Sequence, residues 1–338
     1  MHRIIKKFRT FATRMQKAYH KQQPLVTFII AYYELPVKML HECLDSIYAL
    51  SLYPKEREII VIDDGSKESV MPQLGDYAEL IYIRKNHAGL SEARNTGIRM
   101  ATGDYIQFVD ADDQLITTHY DHCLDIARFN HPDVVMFDFT RTTPKKRLYN
   151  DTPVQSGTDY MRNNNIHGTA CGYLFRRTIL GDLHFTSGIY HEDEEFTPLL
   201  LIRAESVIVS DAKAYLYTDR PSSIITSKDK PHIEKRLADT LLVIRHLHEL
   251  ASQLPSNDLL AMERRVAQLT MDYIYNVILQ TRSLTRTQEK LNELRSYRLF
   301  PLPDRNYTKK YQWFRRMTGN SIGLSVLVIA LPFMKIER

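Results

Sequence analysis

The stretch "DYIQFVDADDQL", Asp104 to Leu115, sets an apolar run directly against a cluster of acids. Tyr105 to Val109 reads as a buried strand, and Asp110, Asp112 and Asp113 follow it at once. Two like charges about 4 Å apart repel by roughly 4 kcal/mol at an effective dielectric near 20. Protonation, solvation or a cation relieves such crowding. Hard divalent cations take oxygen ligands, and Mg²⁺ is typically held by one or two carboxylates together with substrate phosphates. Asp110 and Asp112 can turn toward one ion only if the strand breaks between them, which the polar residues that follow permit. A lone D-x-D is common by chance, so its neighbours must decide what it means.

Outward from this stretch, apolar strands alternate with helices. "LVTFIIAYY" begins at Leu25, and a helix follows with Met39, Leu40, Cys43, Leu44, Ile47 and Leu50 on one stripe. "EIIVID" then ends at Asp63 and Asp64, "ELIYIRK" follows, and a helix runs from about Leu90 to Met100. This order predicts an α/β fold with a mostly parallel sheet covered on both faces. In such sheets ligands bind beyond the carboxyl ends of the strands. Tyr33, Glu34, Asp63, Asp64 and Asp110 to Asp113 stand at those ends.

From Pro132 to about Pro231 the chain mixes strands ("VVMFDF", "SVIVSDAKAYLY") with loops and a helix after His191. Beyond Pro231 it reads as helical. Leu237, Leu241, Leu242, Ile244, Leu247 and Leu250 mark one amphipathic helix, and a second spans about Leu259 to Gln280. Thr285 and Gln288 have the capping-box spacing that opens a third.

Four further clusters carry polar chemistry. In "VIDDGSK" the acids and Gly65 suit a turn, or a carboxylate that accepts hydrogen bonds from a base or a ribose. In "NHAGLSEARNTGI", Arg94 suits either a diphosphate or a buried ion pair with the acidic loops. In "HEDEEFTPLLL", acids in a first helical turn complement the helix dipole. Helical phase puts Asp193 with Phe196 and Leu200 on the inward face and turns Glu194 and Glu195 away. An inward acid at a helix start suits a general base facing a cleft, with Glu192 as its competitor. "YTDRPSSII" offers Arg220 and Ser223 in a polar loop.

The chain has 338 residues, a formal net charge of +5, a hydrophobic fraction of 43% and three scattered cysteines. That composition is ordinary for a globular protein, and the cysteines suggest a reduced compartment rather than a disulfide framework. There is no run long enough for a spanning helix and no signal-peptide pattern. No acid precedes Glu34, whereas Arg3, Lys6, Lys7, Arg9, Arg14, Lys17 and Lys21 do, among apolar residues at helical spacing. This basic amphipathic helix suits either docking on the fold or an anionic membrane surface. "IGLSVLVIALPF", Ile322 to Phe333, suits a core helix or a shallow interfacial segment. Its basic lead-in and Trp313 favour the second. No nucleic-acid reader motif is present.

In this order, "VTFIIAYYEL", "VIDDGS", "GLSEARNTGI", "TGDYIQFVDADD", "LFRRTIL", "HEDEEF" and "YTDRPSSII" resemble the family 2 glycosyltransferases of GT-A fold, of the bacterial surface-polysaccharide type. The resemblance covers about Leu25 to Ile225. It implies inverting transfer of a sugar from a nucleotide-diphosphate donor, a UDP-sugar, to a glycan or lipid-linked acceptor, with Mn²⁺ or Mg²⁺ as cofactor. By residue-wise carry-over, Asp193 is the general base and Asp112 the metal ligand. Nucleotide-sugar contacts fall to Ala31, Tyr33, Glu34, Asp64, Arg94, Asp110, Ala111, Asp113, Arg220 and Ser223. Two departures stand out: "AYYE" ends the first strand, with Glu34 in place of an amide, and Tyr173 stands where a lysine is frequent. The expected organisation is a basic amphipathic helix over 1–24, a GT-A domain over 25–230 and a helical region over 231–338. The expected place is cytoplasmic, peripheral at the inner face of the plasma membrane and in contact with anionic lipid, with no nucleic-acid partner. The rivals are a catalytically inactive carbohydrate- or partner-binding relative and a sugar-1-phosphate nucleotidyltransferase. The latter calls for a Gly-rich basic phosphate loop that "FIIAYYELP" lacks.

Overall fold

Strand β1 (Val26–Tyr32) is apolar at almost every position and buried on both faces, as a central strand must be. The computed structural model describes residues 23–144, 148–218 and 229–333. Helix α1 (Val37–Tyr48) follows β1 and buries Leu40, Cys43, Leu44 and Ile47, the stripe expected from the sequence. Then come β2 (Arg57–Asp63), β3 (Leu80–Arg84), α2 (Leu90–Met100), β4 (Tyr105–Asp110) and the two-residue β5 (Gln114–Leu115). After α3 (Thr117–Asn130) the chain forms β6 (Val134–Thr140), α4 (Gly157–Asn163), β7 (Tyr173–Arg176), α5 (Glu192–Leu201) and β8 (Val207–Leu216).

The strands form one sheet in the order β3-β2-β1-β4-β7-β6-β8-β5. The pairings β1 with β2, β1 with β4, β2 with β3 and β6 with β8 are parallel. β7 runs antiparallel to both β4 and β6, and β5 antiparallel to β8. The first half is the parallel sheet expected, and the second half is mixed. β1 lies between β2 and β4, so the connections after β1 and β4 diverge, and a crevice opens at their carboxyl ends. Register brings the polar groups to one edge: Tyr32 faces Asp63, Ala31 faces Asp110 and Asp63 faces Arg84.

Helix α2 packs closely on β1 because Gly97 has no side chain. A Cβ there would lie 2.2 Å from Ile29 Cγ2. Cys43, Cys123 and Cys171 are all buried and unpaired with one another.

The remaining helices are α6 (Lys230–Ala251), α7 (Ser256–Thr281), α8 (Leu284–Ser296), α9 (Lys309–Thr318) and α10 (Ser321–Ala330). They build a second apolar core, separate from the one around the sheet. Leu199 and Ile202, at the end of α5, pack against both. Two helical expectations need correction. Leu242, read as part of the buried stripe of α6, is 47% exposed. Helix α8 is capped by Ser283, which accepts from the Arg286 N–H, and not by Thr285. Among the described residues no single helix is long and apolar enough to cross a membrane. α9 and the segment Ser321–Phe333 form a pair bent by 114°. The basic amphipathic segment lies almost wholly outside the described residues, which begin at residue 23.

Candidate active site

The crevice wall at the end of β1 is set by Glu34 and the turn after β2. Glu34 has φ 49°. Its N–H donates to Ser66 Oγ at 3.1 Å, and its Oε1 accepts the Lys67 N–H at 2.5 Å. The carboxylate that replaces an amide here thus ties the β1 end to the β2 turn. Asp63 Oδ1 accepts the Ser66 N–H at 2.8 Å, and its Oδ2 accepts the Tyr82 hydroxyl at 2.5 Å. Gly65 makes the turn possible: it has φ 82°, and a Cβ would lie 2.6 Å from the His87 nitrogen.

Asp64 is 3% exposed. It accepts from Lys85 Nζ at 2.6 Å, the Ala88 N–H at 3.0 Å and the Gly89 N–H at 2.7 Å. His87 Nδ1 lies 2.8 Å from its other oxygen. Asp64 therefore organises the loop before α2, and the aromatic surface beside it is free to meet a ring. Tyr33, 45% exposed, stacks on the His87 imidazole with centroids 4.3 Å apart and planes at 24°. Lys85 and His87 were not singled out from the sequence. Their position between β3 and the "GLSEARN" helix, at a strand's carboxyl end, was the available signal.

The acids of the opening stretch separate by role. β4 ends at Asp110, and the Asp113 N–H closes a turn onto the Asp110 carbonyl at 3.0 Å. Ala111 is buried in that turn, Asp112 is half-buried and Ala31 is partly exposed beside it. Asp113 turns inward. It is 1% exposed and accepts from the Tyr215 hydroxyl at 2.9 Å and the Thr218 N–H at 2.8 Å. Burial, and then the charge of Asp110, pushes its carboxyl up to about 8. It anchors the acidic turn to the end of β8. Arg220 and Ser223, expected just beyond, lie outside the described residues.

Arg94 closes the site. It is 4% exposed. Its Nη2 donates to Asp110 Oδ1 at 2.9 Å and its Nη1 to Glu192 Oε1 at 2.8 Å. Of the two sequence readings, the buried ion pair is the one formed. Asp110 keeps a side chain 37% exposed despite that pair. The guanidinium joins the acidic turn of β4 to the first residue of α5. Next to Glu192, burial and the Glu192 charge push Asp193 up to about 7, against the pull of Arg94. A carboxyl poised there exchanges a proton near neutrality, as a general base must.

Helix α5 does not have one buried and one exposed side. Glu195, expected to face away, is 3% exposed. It accepts from Thr186 Oγ1 at 2.5 Å and pairs with His246 of α6. Glu194 pairs with Arg265 of α7, itself 2% exposed on its side chain. The error has a physical source: the helix lies between two cores, so helical phase alone does not identify its wet side. Tyr173, in place of the lysine, is buried behind α5, its hydroxyl 3.0 Å from Thr197 Oγ1.

Among the described residues no three metal-type ligands cluster together. Asp112, with Asp110 beside it, is a donor set for a hard cation that also takes ligands from a substrate diphosphate, and such a set fits Mg²⁺ or Mn²⁺.

Parts of the chain are similar to known proteins. A model of glycosyl transferase family 2 matches residues 27–183, a span that ends before α5. The uncharacterized glycosyltransferase EpsJ of Bacillus subtilis is 29% identical over 234 residues, 63% of this chain and 67% of EpsJ. The glycosyltransferase GlyA of Streptococcus pneumoniae is 28% identical over 59% of this chain, but the match spans only 31% of GlyA. Among solved structures, Staphylococcus aureus TarS superposes with a TM-score of 0.63 at 18% identity, over 90% of this chain and 54% of that one. TarS 1–349 in complex with UDP-GlcNAc gives 0.54 at 17% identity, over 87% and 91%. These likenesses share the GT-A fold. From the first strand through the acidic turn and on to Leu183, residues 27–183 thus form a glycosyl transferase family 2 domain.

Proposed function

We propose that this chain inverts the anomeric centre of a sugar as it moves it from a UDP-sugar to a hydroxyl of a glycan or lipid-linked acceptor, in building a bacterial surface polysaccharide. One observation supports the reading: Arg94 pairs with Asp110 in the acidic turn of β4 and with Glu192 beside Asp193, and so joins the turn that bears Asp112 to the start of α5. The TarS complex with UDP-GlcNAc supports a uridine nucleotide as donor.

In this reading the exposed face of Tyr33, backed by His87, meets the base, with Ala31 and Asp64 forming the floor beneath it. Asp112, with Asp110, would hold Mn²⁺ or Mg²⁺, whose charge offsets the negative charge that develops on the leaving diphosphate. Asp193 takes the proton of the acceptor hydroxyl while that oxygen attacks the anomeric carbon. The new C–O bond forms opposite the breaking bond to the diphosphate, which leaves with the electron pair. No covalent intermediate forms, and configuration inverts. Asp193 then returns its proton to solvent. The transferase unit would be residues 25–230, followed by the helical region that starts at residue 231. The protein works at the inner face of the plasma membrane.

A screen of UDP-sugars for donor hydrolysis and transfer, with Mn²⁺ or Mg²⁺, tests this. Wild type should turn over at least one donor. Asp193→Asn should lose about 10²- to 10⁴-fold in transfer, the usual worth of a general base. If Asp112→Asn turns over donor as fast as wild type, the cation assignment fails. If Asp193→Asn transfers at full rate, the base lies elsewhere.

A further inference from the structure

Helix α10 is apolar on two sides. One side, Leu324, Leu327, Val328 and the following Leu331, lies in the second core. The other carries Ile322, Val326 and Ile329, exposed by 78%, 48% and 69%, with Phe333 at 83% beyond the helix end. These four recur at helical spacing along one line. An apolar stripe in water is unfavourable, and such surfaces mark interaction sites.

The helix that leads into it has the complementary chemistry. Residues 305–333 contain five Lys or Arg and no Asp or Glu. On α9, Lys309, Trp313 and Arg316 are exposed at successive turns, with Lys310 exposed beside them. Arg305 and Arg315 pair with Glu263 and Asp304, which lie outside that stretch. Tryptophan favours the boundary between water and lipid, where its ring meets hydrocarbon and its N–H meets headgroups.

We infer that the outward faces of α9 and α10 form a docking surface for an anionic lipid bilayer, with the apolar stripe entering it shallowly. Charge chooses this occupant over a second copy of the chain. Self-association through this face brings Lys309, Lys310 and Arg316 against their own counterparts, whereas anionic headgroups neutralise them. The length of α10 suits lying in the interface, since a span needs about 20 apolar residues. The surface is independent of the transfer reading: lipid binding and catalysis are measured separately, and either can fail alone.

Trp313 is the only tryptophan in the sequence and stands on this surface, so the unmodified full-length protein reports the contact. Mixing it with vesicles of phosphatidylglycerol and phosphatidylcholine should shift its emission to the blue and sediment it with the lipid. Pure phosphatidylcholine vesicles should do neither. The double variant Ile322→Ser with Ile329→Ser alters two exposed side chains, so its thermal unfolding should match wild type while its vesicle partitioning falls about tenfold or more. Lys309→Ser with Arg316→Ser should lose the preference for anionic lipid. Three results would each overturn the inference. Protein could sediment with lipid while Trp313 emission stays unchanged. The stripe variant could bind as wild type does, which would assign binding to another part of the chain such as residues 1–22. A concentration-dependent dimer could vanish in the stripe variant, which would make the face a contact between copies.

Discussion

Asp193 shows how one residue's surroundings set both its chemistry and its effect on stability. Its carboxyl is raised from 3.8 to about 7 by burial and by Glu192. In the proposed transfer Asp193 acts as the base in its ionised form, so kcat/KM should rise with pH through about 7 instead of through the ordinary carboxylate range. A pH profile on the donor found in the screen checks this, and a profile flat down to pH 5 would contradict it. The linked stability effect has a definite sign. A group whose folded pKa is raised favours the fold while protonated, and that contribution is lost as pH rises through the folded value. Asp193→Asn should therefore gain thermal stability relative to wild type as pH climbs from 3.8 to about 7, then hold a constant lead. The variant that loses transfer should be the more stable protein at neutral pH. Gly97 is the opposite case, in which nothing titrates and space alone decides. Gly97→Ala forces a methyl against Ile29 between α2 and β1 and should cost about 1–3 kcal/mol, read by denaturant unfolding.

At the scale of elements, α5 matters because other helices grip it. Glu194 meets Arg265 of α7, Glu195 meets His246 of α6, and the Tyr190 N–H just before the helix donates to Asp239 of α6 at 2.8 Å. Arg265 also donates to the Ile166 carbonyl at 2.7 Å. Removing one partner of a buried pair costs about 3–5 kcal/mol, since the other charge is left without its counter-ion. Arg265→Met should lower stability by an amount of that order. It should also lower kcat far more than it raises KM for the donor, because the donor edge of the crevice is built on other elements. Steady-state kinetics on the purified variant, beside thermal unfolding, separates the two effects. Equal losses in kcat and donor affinity would mean that α5 also shapes the nucleotide side.

For the whole molecule, what was legible in the sequence divides by range. β1 to β4 announce themselves as apolar runs of five to seven residues, and acids follow β1, β2 and β4 at one sheet edge, while β3 ends in the basic Arg84. β5 has two residues and β7 has four, too short for any periodicity, so of the mixed half of the sheet only β6 and β8 were legible. Candidate residues could be named from the sequence, but most of their long-range partners could not. Arg94 meets Glu192 across 98 residues, and Tyr215 meets Asp113 across 102. Nothing local encodes such pairings. They follow from how β8 and α5 fold back on the sheet. The Arg94 bridge has a consequence at this scale. In the proposed reaction it would work as a spacer of set length between the turn that bears Asp112 and the helix start that bears Asp193. A planar guanidinium spans two carboxylates, whereas an ammonium is a point charge. Arg94→Lys keeps the charge but leaves one carboxylate slack. The enzyme should then still break the donor while failing to direct the sugar, so water takes what the acceptor should have received. The ratio of donor hydrolysis to transfer, measured in one pot, should rise.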